Sequence, residues 1–141
     1  MSERIFEMRL SCGYSRPDNT VGDLRVETLA EGEWKPLDLN EGTPGFLIFT
    51  YAVFTCQHLY MRTNCAERSL MLSSAEGTIR LVADEAWRIQ QLQVAFDAVL
   101  ESGDPSKEDI IYISGRMGEC PVSKNLLPPE TDDVVVELRL T

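Results

Sequence analysis

The segment that most limits what this chain can become starts at the breaker cluster Asn40–Gly45 (NEGTPG) and runs on through Phe46–Leu70. Thr43 is placed to act as N-cap, with Pro44 at the first helical position, where its missing N–H costs nothing. A helix is predicted from about Phe46 to at least Cys65, and at most to Leu70. Its first half is apolar around nearly the whole circumference, the pattern of a buried helix rather than a surface one. The longest apolar run, Phe46–Phe54, is broken by Thr50 and is too short for a membrane span of about 20 residues.

What flanks this helix reads as sheet. Residues 4–11 (RIFEMRLS) alternate as a strand, and Cys12–Gly22 reads as a loop because it carries Gly13, Pro17, Asp18, Asn19 and Gly22. Leu24, Val26 and Thr28 alternate with charged residues. Ala30–Glu33 is a turn and Trp34–Leu39 a third short strand, so residues 1–42 form an antiparallel meander. Beyond the helix, Gly77–Val82 and Ile89–Leu100 are two strands, with Leu92, Val94, Phe96 and Ala98 on one face by period-two spacing. Asp104 or Ser106 caps a second helix over about Lys107–Glu119, and Glu108 and Asp109 sit in its first turn, where the macrodipole favours them. That helix ends at Cys120, since a residue before proline avoids the α region. Val134–Leu140 is the last strand. The order βββ-α-ββ-α-β implies an α+β fold with antiparallel sheets around a long buried helix. It is organised as one domain over 1–141: a meander (1–42), the central helix (43–70) and a ββαβ portion (77–141).

Charge and composition remove several function classes. Lys and Arg number 13 against 23 Asp and Glu, for a net charge of −10. Nucleic acid and anionic membrane both need clustered basic residues, so neither is an expected partner. At 141 residues the chain can bury roughly 68–70% of its unfolded surface without staples. Four cysteines are too few for a disulfide scaffold at this size. The first residues, MSERIFEMRLSCGYS, lack the apolar core of a signal peptide. A reducing cytoplasm is the expected location, which leaves the cysteines as free thiols, metal ligands or redox groups.

Residue by residue, the plain reading of Cys56 and Cys120 is that of buried structural thiols. His58, two positions after Cys56, points about 200° away on a helix and is badly placed to be its base. Cys65 lies nine residues after Cys56, about 180° round. No C-x₂₋₄-C pair supports zinc, so no metal site is expected. Cys12 and Cys65 read as structural or surface thiols.

The pair gains meaning as a pattern. The segment from Val94 to Leu140 contains a strand, a Gly-Asp turn, an acidic-capped helix, then Cys-Pro-Val-Ser, Asn-Leu and a last strand. It resembles the OsmC/Ohr family. Thr43–Met61 (TPGFLIFTYAVFTCQHLYM) resembles the same family's central helix, opened by a proline and carrying a cysteine about three turns in. The two matches occur in order and span roughly Thr43–Leu140. The resemblance implies a thiol peroxidase for organic hydroperoxides. In it Cys56 attacks the peroxide and becomes a sulfenic acid, Cys120 resolves it as a disulfide, and an external dithiol reduces that disulfide without any other cofactor.

A free cysteine has a pKa near 8.5 and its thiolate is the nucleophile. Cys56 is too deep in the helix to gain from its N-terminus, and burial opposes ionisation. An arginine is therefore required. The family supplies one from the N-terminal loop region, held by a glutamate at the helix start, and Arg16 is the candidate by location, with Arg25 and Arg62 as alternates. The family's Pro-Glu pair, eleven and ten residues before the cysteine, corresponds here to Gly45 and Phe46, with Pro44 one residue early. Glu41 is the nearby carboxylate. Phe46, Phe49 and Phe54 are candidates to line an apolar substrate pocket, and the excess apolar face implies an intertwined homodimer. Two alternatives compete: a catalytically silent relative that binds a hydrophobic ligand or partner, because Phe46 replaces the glutamate, and an interaction domain whose cysteines only pack. The latter requires Cys56 and Cys120 to lie beyond the Cα separation of about 7 Å that a disulfide allows.

Overall fold

The computed structural model describes residues 3–125 and 131–140, with the side chains of 131–134 left aside. Along the chain run β1 (Arg4–Ser15), β2 (Thr20–Ala30), β3 (Glu33–Pro36), α1 (Gly45–Glu67), β4 (Met71–Ala83), β5 (Ile89–Ser102), α2 (Lys107–Met117), the single turn α3 (Pro121–Lys124) and β6 (Thr131–Leu140). This is the α+β order expected, with one added turn of helix. The strands form one sheet in the order β3-β2-β1-β4-β5-β6.

Every neighbouring pair is antiparallel except β5 and β6, which run parallel. The sheet is thus largely antiparallel, as expected, with one parallel pair at this edge. The chain leaves β5, crosses through α2 and α3, and returns in the same direction, as a helical crossover requires. The segment Cys12–Gly22 is also not all loop. β1 continues to Ser15 and β2 begins at Thr20, with Gly13 paired to Gly22 and a bulge between Ser11 and Gly13. Two glycines facing each other across a ladder carry no strand signal in sequence. β4 likewise starts earlier than its apolar core, because Ser73, Ser74 and Glu76 hide the alternation.

Thr43 does not cap α1. Its hydroxyl accepts from Asn40 N (2.9 Å) and donates to the Asp38 carbonyl (3.4 Å), closing the turn before the helix. Pro44 occupies the cap position instead, and its carbonyl accepts from Leu47 and Ile48. α2 is capped by Ser106, not Asp104. Ser106 Oγ accepts from Asp109 N and Asp109 Oδ2 accepts from Ser106 N, a capping box. The helix ends at Met117, ahead of Cys120 and Pro121.

One face of the sheet carries the core. Leu92, Val94, Phe96 and Ala98 are all buried on it, as their spacing predicts, together with Met8, Leu10, Cys12, Ala75 and Ile79. Leu10, Gly77, Phe96 and Val136 form one row across four strands. A Cβ at Gly77 would lie 2.6 Å from the Phe96 ring, so only glycine lets that ring lie flat over β4. The ring in turn receives α1: Phe54 stacks on it at 5.8 Å and His58 at 5.7 Å. Phe54 and His58 are four residues apart, hence on one helix face. Cys56, midway between them in sequence, is thereby turned off the sheet.

Candidate functional site

Cys56 and Cys120 come together. Their sulfurs are joined in a disulfide with the Cα atoms 6.2 Å apart, inside the range that a bridge requires. Cys120 is fully buried, while Cys56 is partly exposed and sits in the wall of an open pocket of about 540 Å³. Val21, Leu24, Ala52, Leu59 and Val122 line its apolar part, and Thr55, His58 and Arg62 supply polar groups. The reading of both cysteines as mere packing at a distance beyond bonding is therefore set aside.

Arg62, not Arg16, reaches this pocket. It lies within two helical turns of Cys56 on α1, and its Nη1 donates to the Asn19 carbonyl (3.3 Å). Arg16 is held elsewhere: its Nε donates to Glu101 and its Nη2 to Ser102 Oγ on β5, with the side chain largely exposed. Arg25 is exposed and lines a groove between β1 and β2 with Arg9 and Ser11. Glu41 is exposed before α1, whose first residue is already roughly 16 Å from Cys56 along the axis at 1.5 Å per residue. Neither Arg16 nor Glu41 lines this pocket, because the Arg16 side chain is turned to β5 and Glu41 lies before the start of α1.

The three phenylalanines do not line the Cys56 pocket. Phe54 is fully buried against Phe96. Phe46 and Phe49 sit at the helix start, where Phe46 packs on Phe6 (5.1 Å), Phe49 (5.6 Å) and Trp87 (5.3 Å). The position where the family resemblance implies a glutamate is thus filled by an aromatic cluster. A carboxylate there would be set among these rings.

Beside the pocket lies a polar group that sequence reasoning did not assemble. The Tyr14 hydroxyl and His58 Nε2 are 2.6 Å apart. Burial pushes the Tyr14 phenol up and lowers His58 to about 4, with the nearby Arg62 charge adding to the latter. Both groups are then neutral, so Tyr14 donates and His58 Nε2 accepts. Burial likewise raises the Cys12 thiol, which donates to the Gly13 carbonyl (3.2 Å), and the Cys65 thiol, to about 12. Both are buried core thiols. His58 carries a pH consequence. Its folded pKa lies below the ordinary 6.5, so the unfolded chain takes up the proton first. The contribution of His58 to stability therefore falls as pH drops from about 7 to about 4 and levels off below that, by about 3 kcal/mol. Urea unfolding at pH 7 and pH 4.5 should show the loss, and His58→Gln should flatten it. An unchanged slope in that variant would show that His58 is not the source.

No protein-family model and no curated protein matches the sequence. Among solved structures, the chain is similar to an OsmC-like hydroperoxide resistance protein from Jannaschia sp. CCS1, with a TM-score of 0.55 at 14% identity over 86% of this chain and 85% of that one. It is also similar to an OsmC-like protein from Mycoplasma pneumoniae, with a TM-score of 0.54 at 9% identity over 83% and 89%. At such identities the likeness is one of fold.

Proposed function

We propose that this chain, which has the OsmC-like fold, is a thiol-dependent peroxidase that reduces organic hydroperoxides. The observation that carries the reading is the bond between a partly exposed cysteine in a pocket wall and a fully buried one. A peroxide entering the pocket meets Cys56. The thiolate attacks the terminal oxygen, the O–O bond breaks, and the alkoxide takes a proton to leave as the alcohol. Cys56 is then a sulfenic acid. The Cys120 thiolate attacks its sulfur, the S–S bond forms, and hydroxide leaves as water on protonation. An external dithiol returns both cysteines to thiols by exchange.

Arg62 is the cation that favours the Cys56 thiolate in this reading, since it shares the pocket and a nearby positive charge lowers a thiol pKa. The apolar lining favours an alkyl hydroperoxide over hydrogen peroxide. The reading includes a homodimer, supported by Ile48 and Leu59, which are exposed on α1 at 41% and 42%. One observation favours a second reading, a silent relative that binds a hydrophobic ligand: Phe46 sits in an aromatic cluster where the resemblance implies a glutamate.

The test is direct. Reduced protein is mixed with cumene hydroperoxide and a dithiol, and peroxide loss is followed with the free thiols. The peroxidase reading expects catalytic peroxide loss and, without the dithiol, the disappearance of two thiols per chain. Retention of all thiols with no peroxide loss would leave the ligand-binding reading.

A further inference from the structure

We propose that Gln57 is the positioning residue for the resolving step, holding Cys120 where its thiol meets Cys56; this rests on the peroxidase reading above. Gln57 follows Cys56 on α1 and is fully buried. Its Nε2 donates to the Met117 carbonyl (3.0 Å) and to Ser123 Oγ (2.8 Å). These partners lie three residues before and three residues after Cys120. The carbonyl acceptor settles which end of the amide carries the nitrogen.

The same Met117 carbonyl accepts from Cys120 N (3.2 Å), and the Cys120 carbonyl accepts from Lys124 N (2.8 Å). The turn that carries Cys120 is thus tied within itself, and the Gln57 amide ties that turn to the helix that carries Cys56. None of these bonds involves sulfur, so they can hold the turn in place after the disulfide is reduced. Gln57 Oε1 is buried without a hydrogen-bond partner among the described residues. An orphaned buried acceptor is costly, and an apolar side chain of the same shape would avoid that cost. An amide here is explained by what its nitrogen holds. The resolving reaction forms the S–S bond between Cys120 and Cys56 and expels the sulfenic oxygen as hydroxide. Its rate depends on the local concentration of the Cys120 thiol at Cys56.

The experiment equilibrates the full chain with reduced and oxidised glutathione and measures the Cys56–Cys120 disulfide by thiol trapping and mass. Gln57→Met keeps length and removes both donated bonds. It is expected to lower the equilibrium constant for the disulfide about 10-fold, roughly 30 mV for a two-electron couple. After hydroperoxide treatment it should also raise the fraction of Cys56 over-oxidised to sulfinic acid. Ser123→Ala removes one bond at a half-buried position and should shift both readouts the same way by about 3-fold, which decides the matter if Gln57→Met does not fold. A packing role alone would lower the urea midpoint and leave the glutathione equilibrium unmoved. Wild-type equilibrium constants in both variants would overturn the proposal. A shifted constant in the variants, with wild-type protein that consumes no hydroperoxide, would instead overturn the peroxidase reading and leave the positioning role standing.

Discussion

Cys56→Ser is expected to abolish hydroperoxide consumption, whereas Cys120→Ser, without added dithiol, is expected to complete one turnover and stop at the sulfenic acid. The asymmetry follows from where the two sulfurs lie. Cys56 is the partly exposed member, in the pocket wall, and Cys120 is fully buried behind it. A serine hydroxyl in place of Cys56 has no accessible anion at neutral pH, so the first step is lost. Without Cys120 the sulfenic acid forms and nothing within the chain removes it. Intact mass should then show Cys56 carrying one oxygen, and two oxygens as peroxide is added. Each variant also lacks a bridge that closes a 64-residue separation, which on the chain-entropy account contributes about 4 kcal/mol. Activities are therefore compared with reduced wild-type protein, which lacks it too. Equal loss of the first turnover in both variants, or attack at Cys120 in the Cys56 variant, would reverse the assignment of roles.

Asn19→Ala is expected to cost about 3–7 kcal/mol, a large share of the 5–15 kcal/mol that holds an ordinary domain together. Asn19 is 1% exposed and adopts a left-handed conformation with φ of 52°. Its Nδ2 donates to the carbonyls of Arg62 and Leu70, both at 3.0 Å, and its Oδ1 accepts from Leu72 N at 2.8 Å. One side chain therefore joins the β1–β2 turn, the end of α1 and the start of β4. Alanine leaves Leu72 N and the Leu70 carbonyl short of partners, at about 1–3 kcal/mol each. It also pays for a conformation that asparagine tolerates, about 1 kcal/mol more. Asn19→Gly recovers only the last part, and Asn19→Asp keeps the acceptor alone. The urea midpoints should rank wild type above both and alanine at the bottom. An alanine variant within about 0.5 kcal/mol of wild type would show that water replaces all three bonds. Since Arg62 donates to the Asn19 carbonyl, the same substitution should disturb the pocket arginine.

Asn19 shows why part of the site was not legible. In sequence it is one of several turn residues between Pro17 and Gly22, and its role depends on α1 and β4 arriving from 43 and 53 residues away. The choice among arginines has the same origin. Arg16 lies in the N-terminal loop region from which the resemblance implies an arginine, but the hairpin directs it to Glu101 and Ser102. Arg62 reaches the pocket because it rides on the same helix as Cys56. The aromatic candidates divided for a similar reason. Phe54 went to the core because four-residue spacing aligned it with His58 on the Phe96 ring. Phe46 and Phe49 went to a cluster that includes Trp87 from the β4–β5 hairpin, which local pattern cannot announce.

What the sequence determined by itself was local in cause. Period-two burial set Leu92, Val94, Phe96 and Ala98 on one face. A proline and an apolar run made the central helix, and Ser106, Asp109 and Pro121 set the limits of the second. These features rest on backbone sterics, capping and periodicity among residues close in the chain, so the sequence states them directly. The tertiary structure alone decided the parallel pairing of β6, the pocket's arginine and the contact of Gln57 with the Cys120 turn. Each depends on the relative placement of elements tens of residues apart in the chain. A ring such as Phe96 over Gly77 fixes that placement, and no window of sequence contains both halves of it.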